Sequence, residues 1–181
     1  YLATQESAFL VFSNWGIIGN AGLFKGSLLL QDDKLASLAQ ERVVQSLAYQ
    51  ILPDAMQWEQ SPLYHAEVLS ALLSMVQSAK QHGWFLMLGS MKPNRHHFLQ
   101  SDSDDTDIRD VLTRAEYLLG EERLSVGCYP VLEPYSCFFA TKEQIESFPK
   151  RVKQVPPFLS FGGMESGNIY LRTGWTERDS C

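Results

Sequence analysis

Apolar residues recur at helical spacing through the first three-fifths of the chain. Over residues 15–30, Ile17, Ile18, Ala21, Leu23, Phe24, Leu28 and Leu29 return every three to four positions, which predicts a helix. Gly16, Gly19, Gly22 and Gly26 interrupt it. Each costs about 1 kcal/mol relative to alanine, tolerable where another backbone or a ligand comes close. A second helix is predicted over 33–52 from the stripe Leu35, Leu38, Ala39, Val43, Leu47 and Ile51. Asp32 or Asp33 would cap it, and Pro53-Asp54 would end it. The third helix runs over 62–82. Ser61 is a natural N-cap, Pro62 has no N–H to lose in the first turn, and Gly83 supplies the stop. Its stripe is Val68, Leu69, Leu72, Leu73, Val76 and Ala79.

Beyond Gly83 the pattern weakens. Residues 84–100 read as irregular and 101–107 as an acidic run, followed by a helix over 107–119 that Gly120 ends. A short helix over 141–148 carries a capping box, Thr141-Lys142-Glu143-Gln144. After Pro156-Pro157 the period changes, and 158–161 and 168–173 read as strands joined by a glycine-rich turn. The expected fold is therefore mainly α, with helical hairpins first and a sheet beginning at the end. No internal repeat is visible.

Bulk properties narrow the partners. A length of 181 residues allows one ordinary domain, or one domain and the start of another. The net charge of −6 argues against nucleic acid and against a densely sulphated polymer, because binding either needs a basic field. No apolar run approaches the roughly 20 residues of a membrane span. Cys128, Cys137 and Cys181 are not spaced as a metal knuckle, and no metal or cofactor is expected in these residues. Cys128 and Cys137 would pair only in an exported protein; otherwise they are free thiols in packed loops. The chain starts on Tyr1 and stops just after a strand-like segment, so a piece of a longer protein is expected, and its compartment is not readable.

The candidate chemistry gathers around Glu59-Gln60-Ser61-Pro62-Leu63-Tyr64-His65. Tyr64 and His65 sit in the first turn of the third helix, where N–H groups are unpaired and the dipole end is positive. A phenol carries its proton at neutral pH, so it is equipped to donate. The alternative for Tyr64 is a core aromatic on the side of Val68, Ala71 and Leu72. Asn14 is either a ligand-holding amide or, with Ser13, a cap for the next helix. Trp58 and Trp84 are either core or stacking platforms for a ligand. The acidic run 102–107 lacks the glycine and the distal glutamate of a calcium loop, so a solvated cap is favoured. Lys92, Arg95, His96 and His97 form the one basic cluster suited to an anionic ligand, with an ordinary surface loop the favoured reading.

Taken in order, Ser13-Asn14-Trp15 with Ala21-Gly22-Leu23-Phe24, Ile51-Leu52-Pro53-Asp54, the Glu59–His65 motif, Asp102-Ser103-Asp104-Asp105 and Glu165-Ser166-Gly167-Asn168-Ile169-Tyr170-Leu171-Arg172 resemble a heparinase II/III-type polysaccharide lyase. The resemblance covers most of the chain, and the Glu-Gln-Ser-Pro-x-Tyr-His piece is its most specific part. It implies an incomplete (α/α) toroid over 1–155 and, from 156 to 181, the first strands of an antiparallel β-sandwich. It also implies β-elimination at a uronic acid of an acidic polysaccharide or oligosaccharide. Asn14 would hold the carboxylate and Tyr64 would be the general acid. A histidine of the sheet domain, beyond Cys181, would take part, so these residues alone are expected to be inactive; a structural metal is possible only in that domain. Trp15 would stack on a sugar, with Glu59, His65 and His97 in binding or supporting roles. A periplasmic or secreted location is suggested, with a cytoplasmic one left open.

Two departures support a non-catalytic, carbohydrate-binding toroid protein as the alternative. Trp15 stands where relatives often have histidine, and the connector over 83–92 is short. A toroid hydrolase would need paired carboxylates flanking the bond, and Asp104-Asp105, adjacent in one loop, is a poor pair for that.

Overall fold

The predicted stripes become packed helices in the computed structural model, which describes residues 8–84, 109–120, 122–155, 157 and 159–175. The chain divides into two compact units, Tyr1–Asn94 and Arg95–Cys181.

The first unit holds α1 (Ala8–Val11), α2 (Asn14–Leu29), α3 (Asp33–Gln50) and α4 (Pro62–His82). Its core is one stripe from each long helix. Ile17, Ala21, Phe24 and Leu28 of α2 meet Ala36, Ala39, Val43 and Leu47 of α3 and Val68, Leu72, Met75 and Ala79 of α4. The three-and-four spacing puts each set on one face, so α2 packs against both partners. Ile18 and Leu29 of the predicted stripe are exposed instead, because each comes directly after a core residue and so lies about 100° round the helix from it.

Close approach explains one glycine of α2. A Cβ on Gly16 would lie 1.7 Å from the Leu10 carbonyl oxygen, whereas Gly22 and Gly26 face open space. Asp32 caps α3 by accepting the Leu35 N–H at 3.1 Å. The helix stops two residues before the predicted end, since Ile51 turns extended and pairs with Gln57 in an isolated bridge. Ser61 caps α4, and Gly83, at φ 65°, closes it in the left-handed conformation that favours glycine.

The second unit has shorter pieces. In order they are α5 (Arg109–Leu119), a 3₁₀ turn (Glu122–Gly127), α6 (Pro134–Cys137), α7 (Lys142–Ser147), a 3₁₀ turn (Phe148–Lys150), β1 (Phe161–Gly162) and β2 (Ile169–Tyr170). The capping box on α7 is present: the Gln144 N–H donates to Thr141 Oγ1, and the Thr141 N–H donates to Gln144 Oε1. The strands pair antiparallel, with Phe161 opposite Tyr170 and Gly162 opposite Ile169. They are shorter than the sequence predicts; glycines beside the turn pack no side chain, and an isolated pair gains little by lengthening. Cys128 and Cys137 are both free thiols. The fold is mainly helical.

Candidate functional site

Ser13 occupies the N-cap position of α2 with extended backbone, but its side chain makes no capping hydrogen bond. Asn14 is the first helical residue and does not cap either. Its Nδ2 instead donates to Glu67 Oε2 on α4, at 3.2 Å. One amide N–H thus joins the start of α2 to the second turn of α4, and among the described residues the other is left for a ligand.

The Glu59 side arrives by a turn. Gln60 has φ 56° and its N–H donates to the Gln57 carbonyl, which reverses the chain just before the α4 cap. Ser61 Oγ accepts the Tyr64 N–H at 3.4 Å, and Pro62 starts the helix. Tyr64 is 42% exposed, so the core-aromatic alternative is excluded. Glu67, three residues on, lies on the same face.

These elements enclose a cavity of about 370 Å³, lined by Asn14, Trp15, Ile18, Glu59, Tyr64 and Glu67 with Ser13 at the wall. That volume is near the lower end of the roughly 300–1,000 Å³ of ligand pockets. Trp15 is 68% exposed, leaving indole surface open at the rim. Ser13 Oγ is buried without a hydrogen-bond partner among the described residues, a costly state for a hydroxyl. No basic side chain lines the cavity among the described residues. Its polar groups are an amide, a phenol, a hydroxyl and two carboxyls.

Four residues singled out from the sequence, Asn14, Trp15, Glu59 and Tyr64, therefore share one cavity. His65 is half-buried and does not line it. His97 falls outside the described residues, as do Lys92, Arg95, His96 and the acidic run 102–107. The two open tryptophans separate cleanly. Trp84 packs edge-on against Phe24, with centroids 6.0 Å apart, and donates its N–H to Gln40, so it belongs to the core. Trp58 is 46% exposed, with its N–H held by the Phe12 carbonyl at 2.7 Å.

Sequence reasoning missed Glu67, although its place three residues after Tyr64 on a helix was a usable signal. It also missed a second cavity, of about 540 Å³, in the other unit. There the polar groups engage each other. Arg114 Nε lies 3.5 Å from Glu133 Oε1, its guanidinium sits 4.6 Å over the Tyr135 ring, and Glu133 accepts the N–H groups of Tyr135 and Ser136. That arrangement caps α6.

Among the described residues no cluster of His, Cys, Asp and Glu is able to hold a metal ion, and no helix is long and apolar enough to cross a membrane. No family model matches the chain, and no curated protein or solved structure matches it either.

Proposed function

We propose that the protein is a polysaccharide lyase acting on uronic-acid-containing glycans, and that Asn14 and Tyr64 are its carboxylate holder and general acid. The supporting observation is their meeting, from positions fifty residues apart, in one cavity with Trp15 and Glu59. In this reading residues 1–155 are part of an (α/α) toroid and residues 156–181 open a β-sandwich domain.

The chemistry divides between the lining groups. A base removes the C5 proton of the uronate, the C–H electron pair forms the C4=C5 double bond, and the C4–O bond breaks. The departing oxygen takes the phenolic proton of Tyr64. Charge builds on the carboxylate as C5 loses its proton. The unused N–H of Asn14 is the donor available to stabilise it. Glu59, when ionised, only accepts hydrogen bonds, so it suits sugar hydroxyls and would repel the carboxylate if it bound in the reverse orientation. The base is a histidine of the sheet domain, as the resemblance implies.

The test, run on the protein together with the sheet domain that this reading calls for, is ultraviolet detection of unsaturated uronide product across a panel of uronic-acid glycans, with binding measured alongside. Product from at least one glycan is expected. Binding without product favours the second reading, a non-catalytic carbohydrate-binding protein; the open indole of Trp15 at the rim supports that reading. Neither binding nor product defeats both.

A further inference from the structure

Two glutamines of the first unit are fully buried: Gln50, the last residue of α3, and Gln57, in the turn after it. A buried amide is costly unless both of its ends are paired. Gln50 Nε2 donates to the carbonyl oxygens of Val11 at 2.8 Å and Ser13 at 2.9 Å. Carbonyls only accept, so the orientation of this amide is fixed and its Oε1 faces Gln57. Gln57 Nε2 donates to that Oε1 at 3.5 Å and to Glu59 Oε2 at 2.6 Å. Gln57 Oε1 accepts the Glu59 N–H at 3.0 Å.

The polarity of this relay runs one way. Main-chain carbonyls at the end of α1 and the start of α2 orient Gln50, Gln50 orients Gln57, and Gln57 fixes Glu59 Oε2 as an acceptor. Ser13, whose carbonyl anchors the chain of bonds, immediately precedes Asn14. The relay therefore ties the backbone that carries one cavity residue to the carboxyl of another. Apolar side chains would fill the same space without needing partners, and a fully satisfied polar network specifies one arrangement where they would not.

We propose that Gln50 and Gln57 are positioning residues that hold Glu59 as a fixed acceptor for a sugar hydroxyl, in register with the Asn14 amide. The proposal rests on reading the cavity as a uronic-glycan site and adds the orientation of the ring, hydroxyl edge to Glu59 and carboxylate to Asn14.

The probe is the tightest binder among glucuronate-, iduronate-, galacturonate- and mannuronate-containing tetrasaccharides, titrated calorimetrically. Gln57→Met keeps the side-chain length and removes both hydrogen-bonding ends; it is compared with Glu59→Gln and with the double variant. A residue that acts through Glu59 weakens binding in the parent background and adds nothing once Glu59 is replaced, a coupling of at least about threefold. Effects that simply multiply overturn the proposal. Where Gln57→Met does not fold, hydrogen exchange of the side-chain amides in the unsubstituted protein decides. Gln50 and Gln57 should exchange far more slowly than the exposed Gln31 and Gln60, and equal rates would refute the relay. Slow exchange with no glycan bound leaves the relay standing and defeats the glycan reading; binding with multiplicative effects does the reverse.

Discussion

In Tyr1–Asn94 the buried side-chain amides Gln50 and Gln57 pass their hydrogen bonds along to a cavity, whereas in Arg95–Cys181 buried ions close on one another. Arg151 shows the second pattern. Its Nε donates to Glu116 Oε1 at 2.6 Å, its other nitrogens reach the carbonyls of Phe148 and Tyr129, and its guanidinium lies 3.6 Å over the Phe148 ring. Packing and capping account for such groups. The lesson is that a polar cluster suggests chemistry where hydrogen-bonding capacity is left over at a cavity, as with Asn14. It suggests architecture where buried charges pair with each other away from one, as with Arg151 and Glu116, although Glu116 Oε2 accepts no bond among the described residues.

The largest expected effect tests the architectural half. Arg151→Met leaves the buried carboxyl of Glu116 without its partner, which typically costs 3–5 kcal/mol, about the range for breaking a buried pair. Urea unfolding should show that loss, and Arg151→Lys should recover only part of it because an ammonium cannot reproduce the planar fork. A loss below about 1 kcal/mol would mean that the ions behave as surface charges, and the contrast between the units would disappear.

Next in size is the chemical half. Tyr64→Phe removes one O–H from an exposed ring, so the unfolding midpoint should stay put. In the protein together with its proposed sheet domain, turnover of a uronic glycan should fall by about 10²-fold or more, the scale of a positioned acid. Equal turnover in a folded Phe variant would remove Tyr64 from the mechanism.

Legibility in the sequence divides along the same line. The long helices were readable because caps and stripes are local. Ser61-Pro62 and Gly83 set both ends of α4, and the Thr141–Gln144 box set the start of α7. Asn14 with Trp15 and Glu59 with Tyr64 were readable as two separate motifs, yet nothing local says that they share a cavity. The Asn14–Glu67 bond spans 53 positions, and the Gln50 bonds to Val11 and Ser13 span 39 and 37. Such pairings arise from tertiary packing, which periodicity does not encode. In the second unit, α6 was missed because it is a single turn with no apolar period, set by Glu133 as its cap and Pro134 at its first position.

Cys128 sharpens the comparison at an intermediate scale. Burial pushes its thiol up to about 12, helped by the hydrogen bond and the charge of Glu116, while the Arg151 charge and Thr113 pull the other way. Below the ordinary thiol value of 9.0 both folded and unfolded states keep the proton, so its contribution to stability is complete. Between there and about 12 the unfolded chain loses the proton and the folded one keeps it. Stability should therefore fall as pH rises, by at most about 1.4 kcal/mol per pH unit from this group. Urea unfolding from pH 8 to 10.5 measures the slope, and Cys128→Ala should flatten it. The same slope in both proteins would show that this thiol does not govern alkaline unfolding.

The smallest effect asks whether strain at the cavity rim has a use. Gln60 and Ala55 both hold left-handed backbone in the first unit, at φ 56° and 65°. Glycine at either position relieves the Cβ clash, and each change should stabilise the fold by about 1 kcal/mol, the low end for a strained non-glycine residue. The two positions connect different things. Gln60 joins Glu59 to the α4 cap, whereas Ala55 lies in the turn before Gln57 and its N–H donates to the Leu52 carbonyl. If the Gln60 turn holds Glu59 at the cavity, Gln60→Gly should gain stability and lose glycan affinity, because a looser turn lets the carboxyl wander. Ala55→Gly should gain stability with affinity unchanged. Matched thermal melts and titrations of the two variants separate these outcomes. If both variants keep full affinity, the turn is strained for packing alone, and the positioning of Glu59 must come from Gln57.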